Sequence, residues 1–457
     1  VWFYIVLKTE MARDMVVKHT KTVSETSSVL PMGRMMRPFV TAKVRSGVSA
    51  ARVALAGGAA ALALGAVHPA SAQTALPKTI EEGLKLEAEQ ALPITPFYTD
   101  AAPADAPSWP GGLIRAEKVT DYAIPAGMTA WRILYHSLDA ERHDVVTSAF
   151  VLLPAGPVPA GGWPTVAWAH GTSGVAQPCA PSLMKDLYYG DEGLFDFPKA
   201  GLAVVATDYH GEGTPGAHQY MNKLAQGYDV IYSVAAAHAA LPGVLSKQWV
   251  ADGHSQGGMA SWSVGEMEQQ MNNPDYLGTV SVSGTVDMLD FIAPKPEEVG
   301  APFYFPMVAY GLKARYPDFD VKTVLTKQGY EHYPLIATKA CWFTGYAAYL
   351  GKSSAQIMKP NWTKVPAVQA MLKEDIMGEK PVKGPLMVLT GGGDVSVPPG
   401  GVKKTAHKAC KNGIKLFFHL YPGLDHDPTM INSTQDQIAW IKDRFAGKPF
   451  EENCNTL

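Results

Sequence analysis

The chain has 457 residues, of which 47% are hydrophobic, 10% aromatic and 18% charged, with a formal net charge of −3. That apolar content excludes a wholly disordered chain, and the length suits one large α/β domain carrying an insertion, or two domains. The missing basic excess argues against nucleic acid as a partner, and the absence of HExxH, CxxC, EF-hand and GxxxxGK[ST] patterns removes motif-defined metal sites and P-loop phosphate chemistry. No metal site is therefore expected.

The N-terminal segment reads as a targeting sequence. Residues 53–67 (VALAGGAAALALGAV) form a short apolar run. Arg34, Arg37, Lys43, Arg45 and Arg52 precede it, and Ala70-Ser71-Ala72 follows. A basic stretch, an apolar stretch too short to span a bilayer comfortably and an A-x-A site together describe a signal peptide cleaved after Ala72. Residues 1–72 are therefore expected to be a leader, and the remainder to be secreted, extracellular or periplasmic. In an oxidising compartment the four cysteines, Cys179, Cys341, Cys410 and Cys454, favour disulfides, with three pairings open.

After a Pro- and Ala-rich arm with one short helix at 79–90, β-branched and aromatic residues between turn signals predict strands at 113–119, 128–138 and 146–153. Apolar runs at 164–170 and 202–208 suit strands buried on both faces of a parallel sheet. Helical periodicity follows at 221–241 and 256–271, then strands at 278–284, 385–391 and 414–421, with helices at 400–411 and 430–445. Strands alternating with helices indicate an α/β fold with a mostly parallel sheet. Residues 286–383 differ in texture, being rich in Tyr, Phe, Pro and Met, and read as mostly helical (302–314, 321–328, 334–350, 363–374). They are expected to form a helical cap inserted between two parts of the core, 73–285 and 384–457.

The apolar stretch Trp249-Val-Ala-Asp252, read as a strand, leads into Gly253-His254-Ser255-Gln256-Gly257, a G-x-S-x-G pattern followed by the predicted helix at 256–271. That context makes it a nucleophile elbow, a strained turn that exposes a serine hydroxyl, with glycines at ±2 removing Cβ atoms that would strike neighbouring backbone. A serine hydroxyl needs a base to take its proton, and the base needs an orienting acid. In the chain order Ser, acid, His, the next strand runs into Leu389-Thr-Gly-Gly-Gly-Asp394, and the last strand is followed by Asp425-His426-Asp427 on the loop before the final helix. Asp394 and His426 are the candidate acid and base. Asp425 and Asp427 flank the base and would raise its pKa, but their order does not suit the triad acid. An acyl transfer also needs two oxyanion donors: the N–H of Gln256, next to the nucleophile, and that of Thr172 in the His170-Gly171-Thr172 loop after strand 164–170. Gly211, Gly213 and Gly216 match GxGxxG spacing, but no helix follows at once, so a turn shaping the pocket is expected rather than a nucleotide loop.

Taken together, His170-Gly-Thr, Cys179-Ala-Pro-Ser182, Asp208-Tyr-x-Gly-x-Gly-Thr-Pro-Gly216, Gly253-His-Ser-Gln-Gly-Gly258, Asp394 and Asp425-His426 resemble the secretory lipases of the lipase A type over nearly all of 80–454. The resemblance implies an α/β-hydrolase core with a helical cap, extracellular ester hydrolysis without a cofactor, and disulfides Cys179–Cys341 and Cys410–Cys454, the first tying the oxyanion loop to the cap. The His-Gly-Thr loop departs from the yeast lipases, which carry an acidic residue there.

The expected function is thus a secreted serine carboxylic-ester hydrolase acting on a small-molecule or lipid ester, with transient contact at a lipid interface. Phe303, Tyr304, Phe305, Met307, Tyr310, Trp342 and Phe343 are candidates for an apolar acyl pocket, against the alternative that they form ordinary cap core. A serine peptidase of the same fold would need a site for a peptide terminus, for which no motif is present. A non-catalytic binding protein on the same scaffold would keep its function in Ser255→Ala.

Overall fold

A computed structural model describes residues 75–292 and 302–457. The leader and signal-peptide reading of 1–72 lies outside these residues, as does part of the segment assigned to the cap, 293–301.

Nine strands form a single sheet: β1 (Leu113–Val119), β2 (Thr129–Leu138), β3 (Asp144–Leu153), β4 (Trp163–Ala169), β5 (Ala203–Thr207), β6 (Leu245–His254), β7 (Tyr276–Val282), β8 (Leu386–Gly391) and β9 (Leu416–Tyr421). Their order is β1-β2-β3-β5-β4-β6-β7-β8-β9. The first three pairings, through β3–β5, are antiparallel, and the remaining five are parallel. The sheet is therefore mixed but mostly parallel, as the buried apolar runs predict.

The helices are α1 (Ile80–Gln90) and α2 (Pro96–Thr99) before β1, then α3 (Asp196–Lys199), α4 (Lys223–Ala240) and α5 (Gln256–Met271) between the central strands. Between β7 and β8 come α6 (Met288–Ile292), α7 (Tyr304–Arg315), α8 (Lys327–Glu331), α9 (Tyr333–Ile336), α10 (Trp342–Ala348), α11 (Ser354–Ile357) and α12 (Pro366–Glu374). The chain closes with α13 (Pro399–Lys411) and α14 (His426–Phe445).

Alternation along β4 shows how the core is divided. Val166 and Trp168 join a cluster with Phe197 of α3 and Met430, Ile438 and Ile441 of α14. Ala167 and Ala169 join one with Val230, Ile231 and Val234 of α4 and Ala260 and Val264 of α5. The period of two along the strand thus gives each face its own helical layer. A third cluster links Phe303, Phe305 and Met307 to Val388 of β8 and Val402 of α13, so the helices between β7 and β8 share a core with the sheet.

Most boundaries shift by a residue or two, and three elements differ further from expectation, each for an identifiable reason. The helix expected at 334–350 is two, α9 and α10, because Cys341 is bonded to Cys179, pairs with Gly174 and starts a new helix. The helix expected at 321–328 is a short 3-10 turn, followed by α8, whose N-cap Thr326 accepts the Gly329 N–H. The last helix starts four residues early, at His426, because the Asp425 side chain accepts the His426 N–H as N-cap. His426 is the first residue of α14, not part of the preceding loop.

Candidate active site

The C-terminal ends of the parallel strands carry the candidate residues. Ser255 follows β6 directly, Asp394 lies three residues beyond β8, and His426 follows β9 by five. In open α/β sheets this edge is where ligands bind.

Ser255 has φ 60° and ψ −119°, a left-handed conformation costly for a residue with a Cβ. The turn is held by the Ser255 N–H donating to Val282 O (2.9 Å) and by Ser255 O accepting from Met259 N–H (3.2 Å). Its glycines have steric causes. A Cβ at Gly253 would strike Gly257 O, and one at Gly257 would land on Ala169 O, at the end of β4. A Cβ at Gly258 would crowd Gly284 Cα and Val282 O.

His426 Nδ1 lies 2.8 Å from Asp394 Oδ2. The other Asp394 oxygen accepts the N–H groups of Ser396 (3.0 Å) and Val397 (2.7 Å), which fixes the carboxylate. Asp425 accepts both the His426 and Val395 N–H groups, fastening the Asp394 loop to the start of α14. The His426 and His254 rings lie 4.4 Å apart, which places the imidazole beside the elbow. His426 Nε2 is buried and has no hydrogen-bond partner among the described residues. Burial alone would lower the pKa of this imidazole, but the Asp394 carboxyl at Nδ1, with Asp427 and Asp425 nearby, outweighs it and pushes the value up to about 9. Ser255, Asp394 and His426 are only 6%, 4% and 6% exposed.

The loop after β4 packs against the elbow, and a Cβ on Gly171 would meet the Tyr189 hydroxyl and Ser255 Cβ. Neither the Thr172 N–H nor the Gln256 N–H has an acceptor among the described residues. Thr172 is pinned by its own side chain at 2.7 Å from Tyr220 Oη, and by its carbonyl accepting from Tyr188 Oη at 2.7 Å. Next along, Ser173 O accepts the Trp342 N–H of α10 (2.7 Å), and the disulfide Cys179–Cys341 joins the two segments covalently. The second disulfide, Cys410–Cys454, fastens the C-terminus to α13. Both pairings are those that the family resemblance implies.

Glu87 of α1 accepts the N–H groups of Cys341 (3.1 Å) and Thr344 (2.7 Å), and so caps α10 from the N-terminal arm. The tyrosines around Thr172 and this capping glutamate carry no sequence signal, because they depend on contacts between distant segments.

Of the proposed acyl-pocket residues, Phe303, Tyr304, Phe305 and Met307 are buried in the packed interior, while Tyr310, Trp342 and Phe343 are partly exposed. Tyr304 Oη accepts from Trp342 Nε1 at 3.0 Å. Gly211, Gly213 and Gly216 all adopt positive φ (87°, 76° and 139°). A Cβ at Gly211 would strike the His218 backbone, as the structural-turn reading expects. Asp208 at the head of that turn accepts from Ser148 Oγ (2.6 Å) and Ser182 N–H (2.8 Å), joining the Cys179–Ser182 stretch to the sheet.

The family model described as "Secretory lipase" matches residues 194–453, which include Ser255, Asp394 and His426 but not Thr172. Two curated relatives from Malassezia globosa are similar in sequence. The secreted triacylglycerol lipase LIP4 is 25% identical over 381 residues, covering 76% of this chain and 79% of the relative. The secreted triacylglycerol lipase LIP3 is 26% identical over 410 residues, covering 82% and 87%. Among solved structures, Candida antarctica lipase A superposes with a TM-score of 0.69 at 18% identity, covering 80% of this chain and 89% of that one. The rice cell wall degrading esterase LipA of Xanthomonas oryzae superposes with a TM-score of 0.63 at 16% identity, covering 76% and 100%. These superpositions establish the α/β-hydrolase fold.

Proposed function

The chain belongs to the secretory lipase family of secreted carboxylic-ester hydrolases, and we propose that it cleaves its ester through a Ser255–His426–Asp394 triad. The observation carrying this reading is the 2.8 Å contact between His426 Nδ1 and Asp394 Oδ2 beside a serine held at positive φ. A carboxylate at Nδ1 favours the tautomer with its proton there, leaving the Nε2 lone pair free to act as base.

Ser255 Oγ attacks the ester carbonyl carbon as His426 Nε2 takes its proton. The oxyanion that forms is received by the N–H groups of Thr172 and Gln256. The tetrahedral intermediate collapses, the C–O bond to the alcohol breaks, and His426 returns the proton to the leaving oxygen. Water, deprotonated by His426, then hydrolyses the acyl-enzyme and restores Ser255.

Residues 286–383 serve in this reading as a cap over the site, with 73–285 and 384–457 as the two parts of the core. The cap's aromatic interior and the low exposure of Ser255 support an apolar ester as substrate, reached through contact with a lipid interface. The test is hydrolysis of p-nitrophenyl esters from acetate to palmitate, with Ser255→Ala in parallel. Turnover that is lost in the variant supports the triad, and the chain-length optimum sizes the acyl pocket. Equal turnover by the variant contradicts it.

A further inference from the structure

Behind the two proposed oxyanion donors lies a buried polar cluster that the triad does not use: His170, Ser173, Glu212, His218 and the side chain of Gln256, all 5% or less exposed. His170 Nδ1 is 2.7 Å from Gly171 O, and His218 Nδ1 is 3.1 Å from His210 O. A carbonyl only accepts, so both rings carry their proton on Nδ1. Burial holds both imidazoles neutral, lowering His170 to about 4 and His218 to about 3. Each Nε2 is therefore a lone pair. That of His218 accepts from Gln256 Nε2 at 3.0 Å, whereas that of His170 meets no donor among the described residues.

Glu212 sits between them. Its Oε2 accepts from Ser173 Oγ at 3.0 Å and lies 3.8 Å from His170 Nε2, while its Oε1 lies 3.8 Å from His218 Nε2 and has no hydrogen-bond partner. A carboxylate here would face two lone pairs, with no cation beside it among the described residues. A carboxylic acid supplies the donor that His170 lacks, directly after a small shift or through a bridging water.

We propose that Glu212 is kept as a neutral carboxylic acid and acts as a positioning residue for the oxyanion hole, accepting from Ser173, next to Thr172, and donating to His170 at the start of the same loop. Burial pushes this carboxyl well above the usual range, with the Asp208 charge adding to it and the Ser173 hydroxyl opposing. Tyr209, Tyr220 and Tyr310 are the other titratable groups that feel Glu212, and none is cationic at neutral pH. Neutrality also matters for the reaction, because a negative charge behind the donors would oppose the oxyanion they receive.

The inference rests on the triad reading, so its test separates the two. Steady-state kinetics on a short p-nitrophenyl ester are compared for wild type, Glu212→Gln, Glu212→Ala and Ser173→Ala, with infrared difference spectra of wild type against Glu212→Gln. The amide of Gln is neutral and its NH2 group can donate to His170, with the Ser173 hydroxyl turning to accept, so Glu212→Gln should keep kcat within about twofold. Glu212→Ala, or Ser173→Ala should the former not fold, should lose about tenfold in kcat with KM little changed. The wild-type spectrum at neutral pH should contain a carboxylic-acid C=O band that Glu212→Gln lacks.

Loss of activity in Glu212→Gln equal to that in the alanine variants, absence of the band, or alanine variants with unchanged kcat would each overturn the proposal. Failure of the triad reading shows separately, as activity retained in Ser255→Ala, and the infrared band does not depend on turnover.

Discussion

His426 and Asp394 meet at 2.8 Å although they sit 32 residues apart, one at the first position of α14 and the other beyond β8. Asp425 makes the meeting possible by holding both the His426 and Val395 N–H groups. Asp394→Asn keeps the shape but offers an amide in place of the carboxylate, which favours the wrong imidazole tautomer. It should lower kcat by about 10⁴-fold with KM little changed, as in serine proteases. Steady-state kinetics on an activated ester check this, and a loss of only a few fold would remove Asp394 from the triad.

The same carboxylates set a pH dependence. In the proposed triad His426 must be neutral to accept the serine proton, and a pKa raised to about 9 extends the protonated, inactive form into the alkaline range. kcat/KM should therefore rise with pH through a limb near 9. Asp427 contributes to that rise, so Asp427→Asn should move the limb to lower pH. A pH–rate profile that does not shift in Asp427→Asn contradicts this account of the electrostatics.

Gly257→Ala tests the elbow. Its new methyl would land on Ala169 O, so either β4 or the serine turn must shift. Expression of folded protein should fall, and whatever folds should show kcat lowered by about 10²-fold or more, since small misplacements of reacting groups have large effects. Circular dichroism with active-site titration separates the two losses, and a fully active variant would show that the close packing here is not required.

The two disulfides should differ in function while resembling one another in stability. They close loops of 162 and 44 residues, and removing either should cost about 2–5 kcal/mol. Only Cys179–Cys341 borders the Thr172 loop. The double variant Cys179→Ser/Cys341→Ser should lose both Tm and kcat, and Cys410→Ser/Cys454→Ser mainly Tm. Equal kcat in the two would detach the oxyanion loop from its disulfide.

What could be read from the sequence divides along physical lines. The strand at 113–119 and the helix at 256–271 are set by local periodicity and turn chemistry, and both match the structure to the residue. Ser255 was legible because an elbow needs glycines at fixed offsets. Asp394 and His426 were legible because strand ends in a parallel sheet converge on one edge. The break between α9 and α10 was not, since it depends on Cys179 and Gly174, far away in the chain. Glu212 gave no signal either. A lone acidic residue in a glycine-rich loop looks exposed until folding buries it between His170 and His218.

The most direct test of the triad is to trap the acyl-enzyme. Mass spectrometry of wild-type protein quenched in acid during p-nitrophenyl butyrate turnover should find the butyryl group on the peptide containing Ser255, absent in Ser255→Ala, with slowed deacylation and greater accumulation in His426→Ala. Turnover with no acylated peptide, or an acyl group carried elsewhere while Ser255→Ala stays active, would contradict the serine mechanism.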